Sequence, residues 1–166
     1  MTIRIRFVRG GVRLFHPLDP IPPTAVLTAG FVPSRQVRVF PWGWTRSAAR
    51  FRPAVVAAPL ELLLALARRR VHLGLTHALI VFVDGYQARL TERDRECFWD
   101  AFGVPIFEQV LSPEKRLLAA ECEAHDGLHI VGPQPGLELD LRPCACGGIR
   151  PRLLERAPQL ALAAMA

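Results

Sequence analysis

Two segments near the start of the chain alternate between apolar and polar residues. Isoleucine and phenylalanine alternate with arginine over residues 2–8, and valine alternates with arginine and phenylalanine over residues 36–42. Because successive side chains of a strand point to opposite faces, this period predicts two half-buried strands. The proline-rich stretch between them, residues 16–23, predicts an extended connection.

The following apolar segment has the pattern of an amphipathic helix. Pro59 suits a first helical residue, Glu61 lies in the first turn and three arginines at residues 68–70 lie in the last turn, so that their charges complement the helix dipole. We predict a helix over residues 59–70. Its apolar face, which should pack against a sheet, comprises Leu60, Leu63, Leu64 and Ala67.

A strand, a second helix and another strand are predicted next. Residues 77–83 form a continuous apolar run, which is typical of a strand buried on both faces of a parallel sheet. Thr91 and Asp94 have the spacing of a capping box that opens a helix, and Gly103 ends that helix after Phe102. The predicted buried stripe of this helix comprises Leu90, Cys97, Phe98, Ala101 and Phe102.

The order of these elements predicts the fold class. With a strand over residues 104–107, helices and strands alternate as in an open α/β sheet. Short strands are predicted over residues 116–121, 127–131 and 137–141, between glycine and proline turns. We therefore predict a small, open, partly parallel sheet with flanking helices and a β-rich C-terminal segment. A single domain over residues 1–166 would comprise N-terminal strands and a connection (1–53), a βαβ-like core (54–111), the β segment (112–154) and a tail (155–166).

The β segment contains the clearest candidate chemistry. Three of the four cysteines and one histidine, namely Cys122, His129, Cys144 and Cys146, provide the ligands of a closed tetrahedral zinc site. His125 competes with His129, because it lies closer to Cys122 in sequence. A zinc ion with three thiolates and one imidazole has no open coordination position, so the site is expected to be structural rather than catalytic. Cys97 is expected to be a core residue.

The composition of the chain bears on its cellular compartment and on whether it contains a membrane-spanning segment. The chain is 51% hydrophobic with a mean hydropathy of +0.21, but its longest apolar stretch, residues 54–67, is interrupted by Pro59 and Glu61. That stretch is shorter than the roughly 20 residues that cross a bilayer. The N-terminal residues lack the pattern of a secretion signal. We expect a cytoplasmic protein without a membrane segment, with its cysteines reduced and available to a metal.

The net charge of +6 raises the question of nucleic acids. All basic residues except Lys115 are arginines, and they are spread from Arg4 to Arg156. Because this spread includes no evident basic stripe interleaved with aromatic residues, the sequence argues against nucleic-acid binding. The segment Trp42-Gly43-Trp44 fits an exposed aromatic contact as well as ordinary packing.

Several short sequence motifs of this chain occur in the same order in a known family. They are Leu90-Thr91, Phe102-Gly103-Val104-Pro105, Glu121-Cys122 with Gly127-Leu128-His129-Ile130, and Cys144-Ala145-Cys146-Gly147 before Pro151-Arg152-Leu153. Over about residues 54–154 the chain resembles the middle of adenylate-forming enzymes of the phenylacetate–coenzyme A ligase type. The resemblance implies activation of a carboxylic acid as an acyl adenylate. It also implies a zinc ion bound by Cys122, His129 and the Cys144/Cys146 pair, which favours His129 over His125.

The departures from the family concern its nucleotide chemistry. No glycine-, serine- and threonine-rich phosphate loop is evident, and the family's Tyr-Gly-x-Thr-Glu loop corresponds here to residues 110–114. Glu114 alone is retained as a candidate cofactor-binding residue, while Pro113 offers neither a hydroxyl nor an amide proton. The family's Thr-Gly-Asp segment and its C-terminal domain with a catalytic lysine have no counterpart, and Lys115 does not replace that lysine by position. Asp84 and Glu114 are both expected at the carboxyl ends of parallel strands, where open α/β sheets bind ligands.

Three hypotheses follow for the function. The first is a zinc-stabilised, non-catalytic accessory protein derived from an acyl-activating enzyme, whose sheet edge is covered by a protein partner or a second copy. The second is a subunit of a split acyl-CoA ligase that a partner completes. The third is a basic, zinc-containing nucleic-acid-binding protein.

Overall fold

The computed structural model describes residues 11–132 and 136–153. The predicted strand over residues 2–8 and the C-terminal tail lie outside the described residues. The elements in chain order are β1 Thr24–Val26, β2 Val37–Val39, α1 Arg46–Phe51, β3 Val55–Pro59, α2 Leu60–Arg68, β4 Ala78–Asp84, a 3₁₀ turn Tyr86–Ala88, α3 Glu92–Phe102, β5 Ile106–Leu111, β6 Leu117–Glu121, β7 Leu128–Ile130 and β8 Arg152–Leu153. Among these, no helix is long and apolar enough to cross a membrane.

The described strands form one open mixed sheet, which confirms the predicted α/β class. The strand order is β2-β1-β3-β4-β5-β6-β7-β8. The strands β2, β1, β3, β4 and β5 are parallel, whereas β6, β7 and β8 run antiparallel to their neighbours. The three candidate cysteine ligands and His129 belong to the antiparallel part, so the sheet joins the βαβ core to the β segment.

Local sequence explains the two longer helices. Pro59 ends β3 and is at the same time the N-cap of α2, so the chain passes directly from strand to helix. At α3, the Thr91 hydroxyl accepts a hydrogen bond from the amide of Asp94, and the Asp94 carboxylate accepts one from the amide of Thr91. This confirms the predicted capping box. Gly103 ends α3 in the left-handed conformation with φ 64°.

The sheet is buried on both faces. On one face, α1, α2 and α3 cover alternate residues of the strands, including Val56, Leu79 and Val110. On the other face, Leu14 and Phe31 lie in the apolar cluster with the intervening strand residues, and the rings of Phe31 and Phe82 stack with centroids 5.0 Å apart. Burial on both faces explains why β4 is a continuous apolar run.

The structure corrects several boundaries and faces. The strand predicted over residues 36–42 ends at Val39, because the amide of Gly43 bonds the carbonyl of Phe40 and turns the chain. Residues 137–141 do not form a strand: Asp140 alone makes an isolated bridge to Arg152, and Leu141 is 74% exposed. On the side of β7 that faces away from β6, the pairing strand is β8, which was not predicted.

The helix faces were predicted in part. Leu63 and Ala67 of α2 are buried as expected, together with Leu66, which the predicted face omitted. On α3, Phe98 is fully buried, but Ala101 is exposed. The buried stripe of α3 is therefore narrower than predicted.

Candidate metal centre

The antiparallel strands bring the four candidate ligands together. Cys122 directly follows β6, and His129 is the central residue of β7, where it pairs with Ala120 of β6. On its other side His129 pairs with Arg152 of β8. Cys144 and Cys146 lie in the loop that leads into β8. Because β7 pairs with β6 on one side and with β8 on the other, the segment that contains Cys122 and the segment that contains Cys144 and Cys146 both lie next to His129.

The four side chains converge closely. One ligand atom from each of Cys122, His129, Cys144 and Cys146 can be chosen so that all four lie within 4.8 Å of one another. The Sγ atoms of Cys122 and Cys144 are 3.6 Å apart, and Sγ of Cys146 is 3.5 Å from Nε2 of His129. With zinc–sulfur bonds of about 2.3 Å and zinc–nitrogen bonds of about 2.0 Å, the edges of a zinc tetrahedron are roughly 3.5–3.8 Å. The two distances therefore fit one tetrahedral ion.

The same distances exclude a disulfide between Cys122 and Cys144 in this structure. A disulfide requires sulfur atoms about 2.05 Å apart, and all four cysteines are free thiols. Thiolate and imidazole donors with no carboxylate among them suit zinc better than magnesium or calcium, which prefer oxygen ligands. The residues present thus fit a metal ion that prefers sulfur and nitrogen.

A tight turn shapes the cysteine loop. The amide of Gly147 donates to the carbonyl of Cys144, and the amide of Cys144 donates to the carbonyl of Gly148. The amide of Gly148 also donates to Sγ of Cys146 at 3.3 Å, a contact that stabilises a thiolate. A Cβ atom on Gly148 would lie 3.1 Å from Cε1 of His129. A side chain here would crowd the imidazole ring, so glycine favours the close approach of the loop to His129.

The protonation equilibria depend on whether a cation is bound. Burial and the neighbouring thiols Cys144 and Cys146 raise the pKa of Cys122 to about 12. Hydrogen bonding from the Cys146 backbone lowers the pKa of Cys144. Burial lowers the pKa of His129, which keeps the imidazole neutral and able to coordinate. A bound cation would offset the cost of placing several thiolates in one cluster.

His125, the competing ligand, lies outside this cluster. Its Nδ1 is 2.9 Å from Oε1 of Glu121, and its ring packs on the ring of Phe107 with centroids 4.9 Å apart. The structure therefore places His129 with the cysteines and gives His125 a carboxylate partner instead.

A buried charge network connects the site to α3. Glu108 is fully buried, and its carboxylate accepts two hydrogen bonds from the Arg89 guanidinium and one from the amide of Leu90. Glu121, which immediately precedes Cys122, accepts from the amide of Glu108 and from Arg95. Because buried carboxylates are costly unless they are paired, this network fixes the end of β6 from which Cys122 projects.

Arg152 fixes the other half of the site. Its side chain is 3% exposed and donates to the carboxylates of Asp126 and Asp140, as well as to the carbonyl of Asp126. Asp126 belongs to the loop between Cys122 and His129, and Asp140 precedes the cysteine loop. Arg152 therefore ties together both segments that carry the candidate ligands. Sequence reasoning missed it, because its partners lie 12 and 26 residues away.

The remaining candidate residues lie elsewhere. Cys97 is half-buried on α3 and packs against the apolar core, as expected. Asp84 is the last residue of β4, and Glu114 lies in the turn after β5. Asp84 pairs with Lys115 at 3.5 Å, and Glu114 accepts a hydrogen bond from the Ser112 hydroxyl at 2.8 Å. That bond lowers the pKa of Glu114, which is exposed to solvent. Its role in binding a cofactor stays a prediction.

The fold is similar to part of a solved enzyme structure. The chain matches an open conformation of 2-hydroxyisobutyryl-CoA ligase in complex with 2-HIB-AMP and CoA, with a TM-score of 0.56 and 13% sequence identity. The match covers 81% of this chain and 44% of the ligase chain, so this chain spans less than half the length of the ligase. At this identity the likeness shows a shared fold, and it does not distinguish the phenylacetate type from other CoA ligases.

The comparisons by sequence find no match. No protein-family model matches the chain. No curated protein matches it in sequence.

Proposed function

We propose that this chain is a zinc-stabilised accessory protein, built on part of the acyl-activating enzyme fold, that binds a protein partner and does not itself form adenylates. The observation that carries the proposal is the convergence of four ligand atoms within 4.8 Å. Cys122, His129, Cys144 and Cys146 would fill all four positions of a tetrahedral zinc ion, which leaves none for a substrate or an activated water.

The carboxyl edge of the sheet supports the absence of adenylation. Where the family resemblance implies a threonine on phosphate and a glutamate on magnesium, this chain has Ser112-Pro113-Glu114. The Ser112 hydroxyl is engaged with the Glu114 carboxylate, and Pro113 has no amide proton. Lys115 lies 3.5 Å from the exposed carboxylate of Asp84, with which it forms a surface ion pair.

The shape of the metal site supports a structural role. The four ligands come from the end of β6, from β7 and from the loop before β8. Of these, β7 has three residues and β8 only two. A zinc ion would cross-link these short strands to the end of β6.

The proposal is tested by assaying ATP–pyrophosphate exchange with purified, zinc-loaded protein and a panel of carboxylic acids. We expect no exchange above a protein-free blank. Robust exchange by the chain alone would contradict the proposal. Exchange that appears only after a copurifying partner is added would establish instead that this is one subunit of a split acyl-CoA ligase.

A further inference from the structure

One end of the sheet is basic, and its arginines have no acidic partner among the described residues. Between Asp19 and Glu61 the sequence contains no acidic residue. The five arginines in this interval are Arg35, Arg38, Arg46, Arg50 and Arg52, and all five are exposed. None of them forms an ion pair with another described residue, in contrast to Arg89, Arg95, Arg142 and Arg152.

These arginines belong to one structural unit at the edge of the sheet, residues 35–52, which we call the basic edge. It consists of β2, a turn and α1. Arg38 projects from β2 towards α1, where its guanidinium lies 4.8 Å from the centroid of the Phe51 ring. Arg46 and Arg50 are one helical turn apart on α1, on the side opposite the buried Ala48.

An exposed tryptophan lies in the same unit. Trp42, in the turn between β2 and α1, is 87% exposed. The neighbouring rings of Phe40, Trp44 and Phe51 pack against the core instead. The turn is held by the hydrogen bond from Gly43 to Phe40, and Thr45 caps α1 directly after it. Trp42 is therefore presented on a fixed support rather than on a long loop.

We propose that the basic edge docks an acidic segment of a partner protein. This inference rests on the proposed partner-binding function and names the partner's chemistry. Tryptophan and arginine are the residue types that contribute most binding energy at protein interfaces. Glutamate and aspartate of the partner pair with the exposed guanidinium groups, and an apolar side chain of the partner packs on Trp42.

The edge strand favours a protein over a nucleic acid. Within the described ranges β2 pairs with β1 alone. The carbonyl of Val37 accepts a hydrogen bond from the amide of Ser34, so the other edge of β2 offers a short run of backbone groups to which an extended segment can add as a strand. Surfaces that bind single-stranded nucleic acids commonly stack successive bases on several aromatic rings. The basic edge has one largely exposed ring, Trp42, because Phe40, Trp44 and Phe51 are partly buried against the core.

The docking is tested by fluorescence anisotropy with zinc-loaded, full-length protein. The probe is a fluorescein-labelled peptide in which glutamate and valine alternate, long enough to span β2. We expect saturable binding that weakens with added salt, because the contact is largely electrostatic. We expect the Trp42→Ala variant and the Arg46→Glu/Arg50→Glu double variant each to weaken binding by about tenfold or more.

Matched controls separate this surface from general basicity. Trp99→Ala removes the exposed tryptophan of α3, and Arg93→Glu reverses an exposed arginine on the same helix. Neither should change the affinity by more than about twofold, since both residues lie outside the basic edge. A labelled oligothymidylate of equal charge should bind more weakly than the peptide.

Four outcomes would overturn the proposal. They are no binding of the peptide, equal loss in the control variants, tighter binding of the oligothymidylate, and binding that appears only after deletion of residues 1–10. The last result would identify the chain's own N-terminal segment as the occupant of this edge. None of these outcomes bears on metal content or pyrophosphate exchange, so the proposed function can stand if the docking proposal fails.

Discussion

The guanidinium of Arg152 lies 2.9 Å from a carboxylate oxygen of Asp140, and both side chains are largely buried. The same guanidinium also binds Asp126, which belongs to the loop between two candidate ligands. Through these two contacts, Arg152 thus fixes the relative position of the two chain segments that carry the candidate ligands. This relationship makes the site depend on a residue that contributes no ligand atom.

Replacing Arg152 should therefore weaken both the fold and the metal site. Arg152→Met removes the buried partner of Asp126 and one of the two arginine partners of Asp140, and losing charge-assisted hydrogen bonds of this kind costs about 1–3 kcal/mol. We expect urea denaturation to show this loss, and a competitive chelator titration to show zinc affinity reduced about 10- to 100-fold. Arg142→Ala is the matched control: it removes an exposed arginine that contacts the same Asp140. That variant should cost at most about 1 kcal/mol.

The two histidines are expected to behave differently. His129→Ala should lose the bound metal or reduce its affinity strongly, because His129 alone contributes the imidazole of the cluster. His125→Ala should retain stoichiometric metal, with a modest loss of stability from the broken contact to Glu121. Metal content of both purified variants checks this. Retention by His129→Ala together with loss by His125→Ala would reverse the assignment.

The cysteine loop provides a test of stability. Cys144→Ser and Cys146→Ser should each lose the metal and several kcal/mol of stability, on the order of the contribution of a structural zinc site. Cys97→Ser is a suitable control, because Cys97 lies on α3 outside the cluster. It should retain the metal. Full metal content and an unchanged Tm in both loop variants would show that the ligands lie elsewhere.

The loss of stability at acid pH should depend on Asp140. Hydrogen bonding from Arg142 lowers the pKa of Asp140 to about 2. Since this folded-state pKa lies below the unfolded value of about 3.9, the carboxylate stabilises the fold above about pH 4, and this contribution is lost as the pH falls towards 2. With chelator present throughout, Tm should fall more steeply below about pH 4 in the original protein than in Asp140→Asn. Parallel acid profiles would contradict this role.

Local patterns in the sequence were enough to predict α2, α3 and β4. A proline at the start of α2, the Thr91/Asp94 capping box and a run of apolar residues each reflect interactions within a few residues of one another. A metal site with three cysteines and a histidine was also predicted from their spacing. The choice of His129 over His125 came from the resemblance to the ligase family.

Elements that depend on distant pairing were missed. The strand β3 was not predicted as a separate element: the helix was predicted from Pro59, the residue at which β3 passes into α2 without an intervening turn residue. The two-residue strand β8 exists through its pairing with β7 and with Asp140, and nothing local marks it. The basic edge was likewise missed: its arginines lie close together in sequence, but their common exposure follows from the way β2 and α1 meet.

The proposed function depends most directly on one divalent ion held by Cys122, His129, Cys144 and Cys146. Elemental analysis of the protein, purified without chelators or an affinity metal, measures this without further assumptions. We predict one zinc per chain, released when the thiols are titrated with a mercurial reagent. A preparation that is folded and stable but contains no stoichiometric zinc would contradict the account.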